Sequence, residues 1–289
     1  MAGRSEAGPT ALRIMLGSHL RRLRERAGVT RSAAGWAIRS SESKISRLEL
    51  GRVGFKERDV EDLLTLYSVD DVAERERLLQ LARDANSRGW WYRYHDVTPQ
   101  WFDDYLGLEA AAELIRTYEL QFVPGLLQTP EYTRAVAGLT SGSERSTAEL
   151  DRIVALRTTR QAVLYRDPPL RLWAVIEESV LRRPIGGLEV LSDQLAALIE
   201  AVQQPNITLQ IIPLGSAGHA ATAGAFSVLR FPQADLPDVV YLEHLTSALY
   251  LDKRDDLDAY THVLDSLTVS APPPQQAEEQ LTRILEQLG

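Results

Sequence analysis

Glu42, Ser43 and Arg47 are the residues of this chain whose types and spacing best suit a defined chemistry, namely hydrogen bonding to base edges. They fall on the exposed side of a short helix within TRSAAGWAIRSSESKISRLELGR, residues 30–52, and such a helix is thin enough to enter the major groove of double-stranded DNA. Arg47 suits guanine O6 and N7, and Glu42 can accept from a cytosine amine. Arg31, Lys44, Arg52 and Lys56 are placed for phosphates, where they add affinity with little sequence discrimination.

Two short helices joined by a tight turn must position these side chains. Thr30 is the expected cap of the first and Ser41 of the second, while Ala34, Ile38, Ile45 and Leu48 supply apolar positions three, four and seven apart. Ahead of them, residues 12–27 carry Leu12, Leu16, Leu20 and Leu23 on one face, with Gly28 as the stop. Residues 56–67, with Val60, Leu63, Leu64 and Tyr67, read as a fourth helix, and 72–88 as a fifth. Residues 1–85 thus make an all-α, five-helix module.

Charge separates the first 58 residues from the rest. The chain as a whole carries −8, yet residues 1–58 hold 13 basic and 5 acidic side chains, a net of +8. The remainder holds 19 basic and 35 acidic, a net of −16, so only the N-terminal part suits a polyanion. A chain that is 44% hydrophobic and 25% charged is ordinary for a globular protein. It has no apolar run of about eighteen residues, and MAGRSEAGPTALR lacks the apolar core of a signal peptide. A cytoplasmic protein with no membrane association is expected. There are no cysteines, and the histidines at 19, 95, 219, 244 and 262 have no ligand spacing, so neither a metal nor a cofactor is expected.

Residues 86–101, NSRGWWYRYHDVTPQW, break the helical periodicity with Gly, Pro and three tryptophans and read as a joint. Beyond it, 102–289 reads as an acidic α+β domain whose mixed sheet is covered by helices, so the chain is multidomain. Helices are expected at 103–118, 130–138, 146–166, 187–203, 253–269 and 274–288. Strands are expected at 171–177, 207–212, 225–231, 239–244 and 248–251. The aromatics from Trp90 to Tyr105 can stack on bases, but their surroundings are not basic, and burial at the joint is the favoured reading. The small-residue run 215–224 matches no phosphate-loop spacing and reads as a loop. Glu177-Glu178 and Glu243-His244 read as solvated or structural groups near strand ends.

Residues 12–67 resemble the XRE, or lambda-repressor-like, helix-turn-helix family. Thr30-Arg31 stands where that family has Ser/Thr-Gln, Ser41 where its third helix is capped, Ile45-Ser46-Arg47-Leu48-Glu49 where it has I-S-x-x-E, and Gly51-Arg52 at its G-K/R ending. The resemblance implies a structural ion pair between Arg24 and Glu49. Ala34 replaces a larger aliphatic, and Arg39 a glycine common in the turn. The second half resembles the uncharacterised effector domain attached to XRE modules in actinobacterial regulators. That likeness rests on Gly89-Trp90-Trp91, Leu108-Glu109-Ala110, Arg116-Thr117-Tyr118-Glu119, Arg157 to Gln161, Glu178 to Arg183, Val240-Tyr241-Leu242-Glu243 and, most specifically, VPGLLQT from Val123. It implies an antitoxin-like regulator whose small protein partner is often encoded by a neighbouring gene. A homodimer on a palindromic DNA site is expected, since one recognition helix reads only a few base pairs. An alternative is an antitoxin-like scaffold that sequesters its partner and autoregulates. Arg116, Ser227 and Glu243 follow the residue order of ADP-ribosyltransferases, but three common residues match easily by chance, and no catalytic residue is expected.

Overall fold

The computed structural model describes residues 8–139, 145–216, 218, 221, 224–232 and 236–288. They form two compact units, one built mainly from the chain up to Tyr92 and the other mainly from the chain after Arg93, with Asp104–Ala111 clustering with the first.

The first unit is helical. Helix α1 (Pro9–Arg26) opens on a proline at its first turn, where the missing N–H costs nothing, and α2 (Arg31–Ala37) and α3 (Glu42–Glu49) follow it. Helices α4 (Glu57–Leu66) and α5 (Val72–Ala85) close the bundle. The apolar positions read from the sequence meet in one core, in which Leu16, Leu20, Ile45, Leu48, Leu63 and Leu64 are buried and Leu12 packs against the edge. Helix α5 ends three residues before the expected stop. Asn86 caps it, and its side-chain oxygen accepts from the Phe55 N–H at 3.0 Å while its amide donates to the Phe55 carbonyl. That clamp fixes the loop between α3 and α4.

The second unit is a six-stranded mixed sheet with helices, as the sequence indicates, but its central strand falls where a helix is expected. The expected helix 103–118 is helix α6 (Gln100–Ala111) followed by strand β1 (Leu114–Glu119). Ala110, Ala111 and Ala112 extend helical propensity to the break, whereas Ile115, Thr117 and Tyr118 are β-branched or aromatic and win once partners exist on both sides. Strands β2 (Arg171–Glu177), β3 (Ile207–Ile212), β4 (Phe226–Arg230), β5 (Val239–Glu243) and β6 (Ala248–Leu251) complete the order β3-β2-β1-β4-β5-β6. Strands β1, β2 and β3 pair in parallel, and β4, β5 and β6 join antiparallel.

The parallel crossovers need helices. Helices α7 (Pro130–Leu139) and α8 (Thr147–Gln161) lie between β1 and β2 in sequence, and α9 (Glu178–Arg182) and α10 (Leu188–Ala201) between β2 and β3. Helices α11 (Arg254–Ser270) and α12 (Ala277–Glu286) finish the chain. Alternation puts Tyr118, Val175, Phe226, Val228, Val240 and Leu242 on one sheet face, packed with Leu264 and Leu267 of α11. Thr117, Ala174, Ser227 and Tyr241, joined in register across four strands, lie on the other. Among the described residues no helix is long and apolar enough to cross a membrane. Much of the small-residue run 215–224 lies outside the described residues.

Candidate nucleic-acid interface

The α2–α3 turn is built from local hydrogen bonds. The Thr30 hydroxyl accepts from the Ala33 N–H at 3.1 Å, and the Ser41 hydroxyl accepts from the Lys44 N–H at 3.2 Å. Each cap satisfies a donor that the first helical turn would otherwise leave open. Between them the Ser40 N–H donates to the Gly35 carbonyl at 2.7 Å. Gly35 is required there, since a Cβ would stand 2.8 Å from the Ser40 carbonyl oxygen. Gly17 of α1 does the same for α3, where a Cβ would come within 2.4 Å of the Leu48 carbonyl oxygen. The turn itself passes through Arg39, whose φ of 53° lies in the left-handed region.

Burial of Ile45, Leu48 and Glu49 turns the opposite side of α3 outward. Two i,i+4 rows occupy that side, Glu42 with Ser46 and Ser43 with Arg47. Glu42, Ser43 and Arg47 are exposed, and Ser46, which its residue type alone does not single out, is intermediate. Among the described residues no side-chain hydrogen bond or ion pair of 4.0 Å or less holds Glu42, Ser43 or Arg47. Arg52 and Lys56 are also exposed, flanking the loop that follows α3.

The other named cations are engaged within the module. Lys44 Nζ lies 2.7 Å from Asp59 of α4, so a phosphate there would compete with a carboxylate. Arg31 Nε donates to Glu49 Oε2 at 3.0 Å. Arg24 meets the same carboxylate through Nε and through Nη2, the latter at 3.1 Å, and also donates to the Val29 carbonyl at 3.0 Å. The Arg24 and Glu49 side chains are 9% and 3% exposed, so the pair is a core feature joining α1 to α3. The hydrogen bond to Glu49 raises the Arg24 guanidinium above its ordinary pKa. Trp36, which no sequence signal singles out, stands 86% exposed on α2. A seven-residue helix shows too little periodicity to mark it as outward-facing.

In the second unit the structure separates the three residues that follow the transferase order. Arg116 lies on the α11 side of the sheet, 2.7 Å from Asp265, with its guanidinium 5.3 Å from the Trp173 ring centroid. Ser227 and Glu243 belong to the opposite face. There the Thr117 hydroxyl lies 2.9 Å from that of Ser227 and donates to Glu119 at 3.1 Å, and Tyr241 donates to Glu243 at 2.9 Å. Loss of water around Glu119 pushes its carboxyl up to about 8; the Thr117 hydrogen bond opposes the rise, the Glu243 charge adds to it, and Arg157 opposes it. Among the described residues no group of three or more His, Cys, Asp or Glu could hold a metal ion.

Comparison with known families divides the chain between residues 78 and 102. Residues 15–78 match the model of a helix-turn-helix domain, and residues 102–283 match that of a domain of unknown function, DUF5753. No curated protein and no solved structure matches. With the second match covering more than half of its length, the chain belongs to the DUF5753 family and carries a helix-turn-helix domain ahead of that domain.

Proposed function

We propose that the chain is a cytoplasmic, sequence-specific transcriptional regulator of XRE type that binds double-stranded DNA as a homodimer on a palindromic operator. The observation that carries this reading is the outward side of α3, where Glu42, Ser43 and Arg47 stand exposed within residues 1–58, a stretch with a net charge of +8. Helix α3 enters the major groove, Arg47 reads a guanine, and Arg52 and Lys56 hold the backbone. The DUF5753 domain binds a small protein partner or ligand and has no enzymatic role. Separation of Arg116 from Ser227 and Glu243 across the sheet supports the non-enzymatic reading.

Selection from a random duplex library with the full-length chain, followed by gel shifts, tests the DNA reading. An enriched site with two half-sites about one helical turn apart is expected. Arg47→Ala costs about 1–3 kcal/mol on that site and relaxes one base position, whereas Arg52→Ala weakens all duplexes alike and lowers the salt slope by about 1. No enriched sequence, or equal weakening of all sequences by Arg47→Ala, overturns the assignment.

A further inference from the structure

The α2–α3 turn carries a feature that base reading by α3 leaves unused. An open recess of ≈ 790 Å³ is lined by Trp36, Ala37, Arg39, Ser40 and Ser41. Among its lining residues are the exposed Trp36 and Arg39, an exposed cation on a strained backbone. A non-glycine residue in the left-handed region costs free energy that a glycine would avoid, and such strain concentrates at functional sites. The floor is polar. Ser41 already accepts from the Lys44 N–H, which leaves its own hydroxyl proton to donate, and it stands at the N-terminal, positive end of α3.

We propose that this recess seats the sugar–phosphate backbone of one strand of the duplex that α3 reads, with deoxyribose against Trp36 and phosphate between Arg39 and the two serine hydroxyls. The proposal rests on the DNA-binding reading and adds a second contact to it. Bases in an intact duplex are stacked and paired, so a flat indole outside the groove meets the sugar edge rather than a base face. Phosphate complements the cation, the hydroxyl donors and the helix N-terminus together. Arg39 is the one charged residue of the lining, so a phosphate is expected beside it. The contact carries no sequence information and acts by fixing the register in which Glu42, Ser43 and Arg47 meet the bases.

The test uses the full-length chain and a random-sequence 30-base-pair duplex at low salt. Trp36→Ala is expected to weaken binding about 5- to 10-fold with an unchanged salt slope, because an uncharged contact is lost. Arg39→Gly is expected to raise the thermal midpoint by relieving the strain, and yet to weaken binding about threefold with a slope lower by about 1. Iodide quenching of Trp36, taken as the difference between wild type and Trp36→Phe, should fall when duplex is added. Equal affinity of Trp36→Ala and wild type, with iodide quenching unchanged by DNA, overturns the recess contact and leaves the DNA reading standing. A wild-type chain that binds no duplex overturns both.

Discussion

Glu49→Ala lowers the stability of the helix-turn-helix unit by about 3–5 kcal/mol, the cost of leaving a buried cation without its partner. The Arg24 side chain is only 9% exposed and would keep the Val29 carbonyl at 3.0 Å and a 3.4 Å contact with Glu25, neither of which replaces a two-pronged carboxylate. Arg31 would lose its partner as well, but it is part-exposed and recovers water cheaply. Glu49→Gln keeps the shape and one acceptor and should cost less than the truncation. Replacing both members, as in Arg24→Met with Glu49→Leu, removes the stranded charge and should recover most of the loss. Hydrogen exchange of the α1 and α3 amides reads the unit directly. A drop below about 1 kcal/mol for Glu49→Ala would show that the pair contributes little beyond its desolvation cost.

The second large effect is in the sheet domain and depends on pH. Glu119 has a carboxyl raised to about 8 against an unfolded value near 4.5. Between those values the folded chain holds a proton that the unfolded chain has released, so stability falls as pH rises through this window. Below it both states are protonated and nothing is lost. Above it the folded state carries the full penalty of an ionised carboxylate short of water and close to Glu243. Glu119→Gln removes that penalty. The variant should match wild type near pH 4 and exceed it at pH 8.5 by on the order of 3 kcal/mol, less than the roughly 5 kcal/mol of the full shift because Glu119 keeps some solvent access. Urea midpoints of both proteins across that range test the sign. Curves that stay parallel from pH 4 to 8.5 would remove Glu119 as the source of the pH dependence.

Why the helical unit is legible in the sequence and the sheet only partly so follows from where the signals reside. Thr30, Ser41 and the apolar positions around them act within a few residues of themselves, so their consequences follow from the local sequence alone. Strand β1 is the opposite case. Leu114–Glu119 becomes a strand through Arg171–Glu177 on one side and Phe226–Arg230 on the other, and nothing local announces either partner. Lys44 illustrates the same limit at the candidate interface, because Asp59 lies one helix later and only packing brings the two within 2.7 Å. Arg39 is visible as a departure from glycine, but its left-handed φ and the recess it forms with Trp36 are properties of the folded turn.

The placement of β1 between β2 and β4 also sets an order of events during synthesis. Its partner β2 and then β3 are complete once Ile212 has been made, but β4 ends eighteen residues later at Arg230. At about 5–20 residues per second the ribosome takes roughly 1–4 s to cover that stretch. A chain that pairs β1, β2 and β3 before β4 emerges would present β1 as an open edge with a row of unpaired N–H and C=O groups for that interval. Another nascent chain on the same messenger presents the identical edge. For such a chain the exposure of that edge scales with the time taken to elongate from residue 212 to 230, whatever the stability of the finished domain.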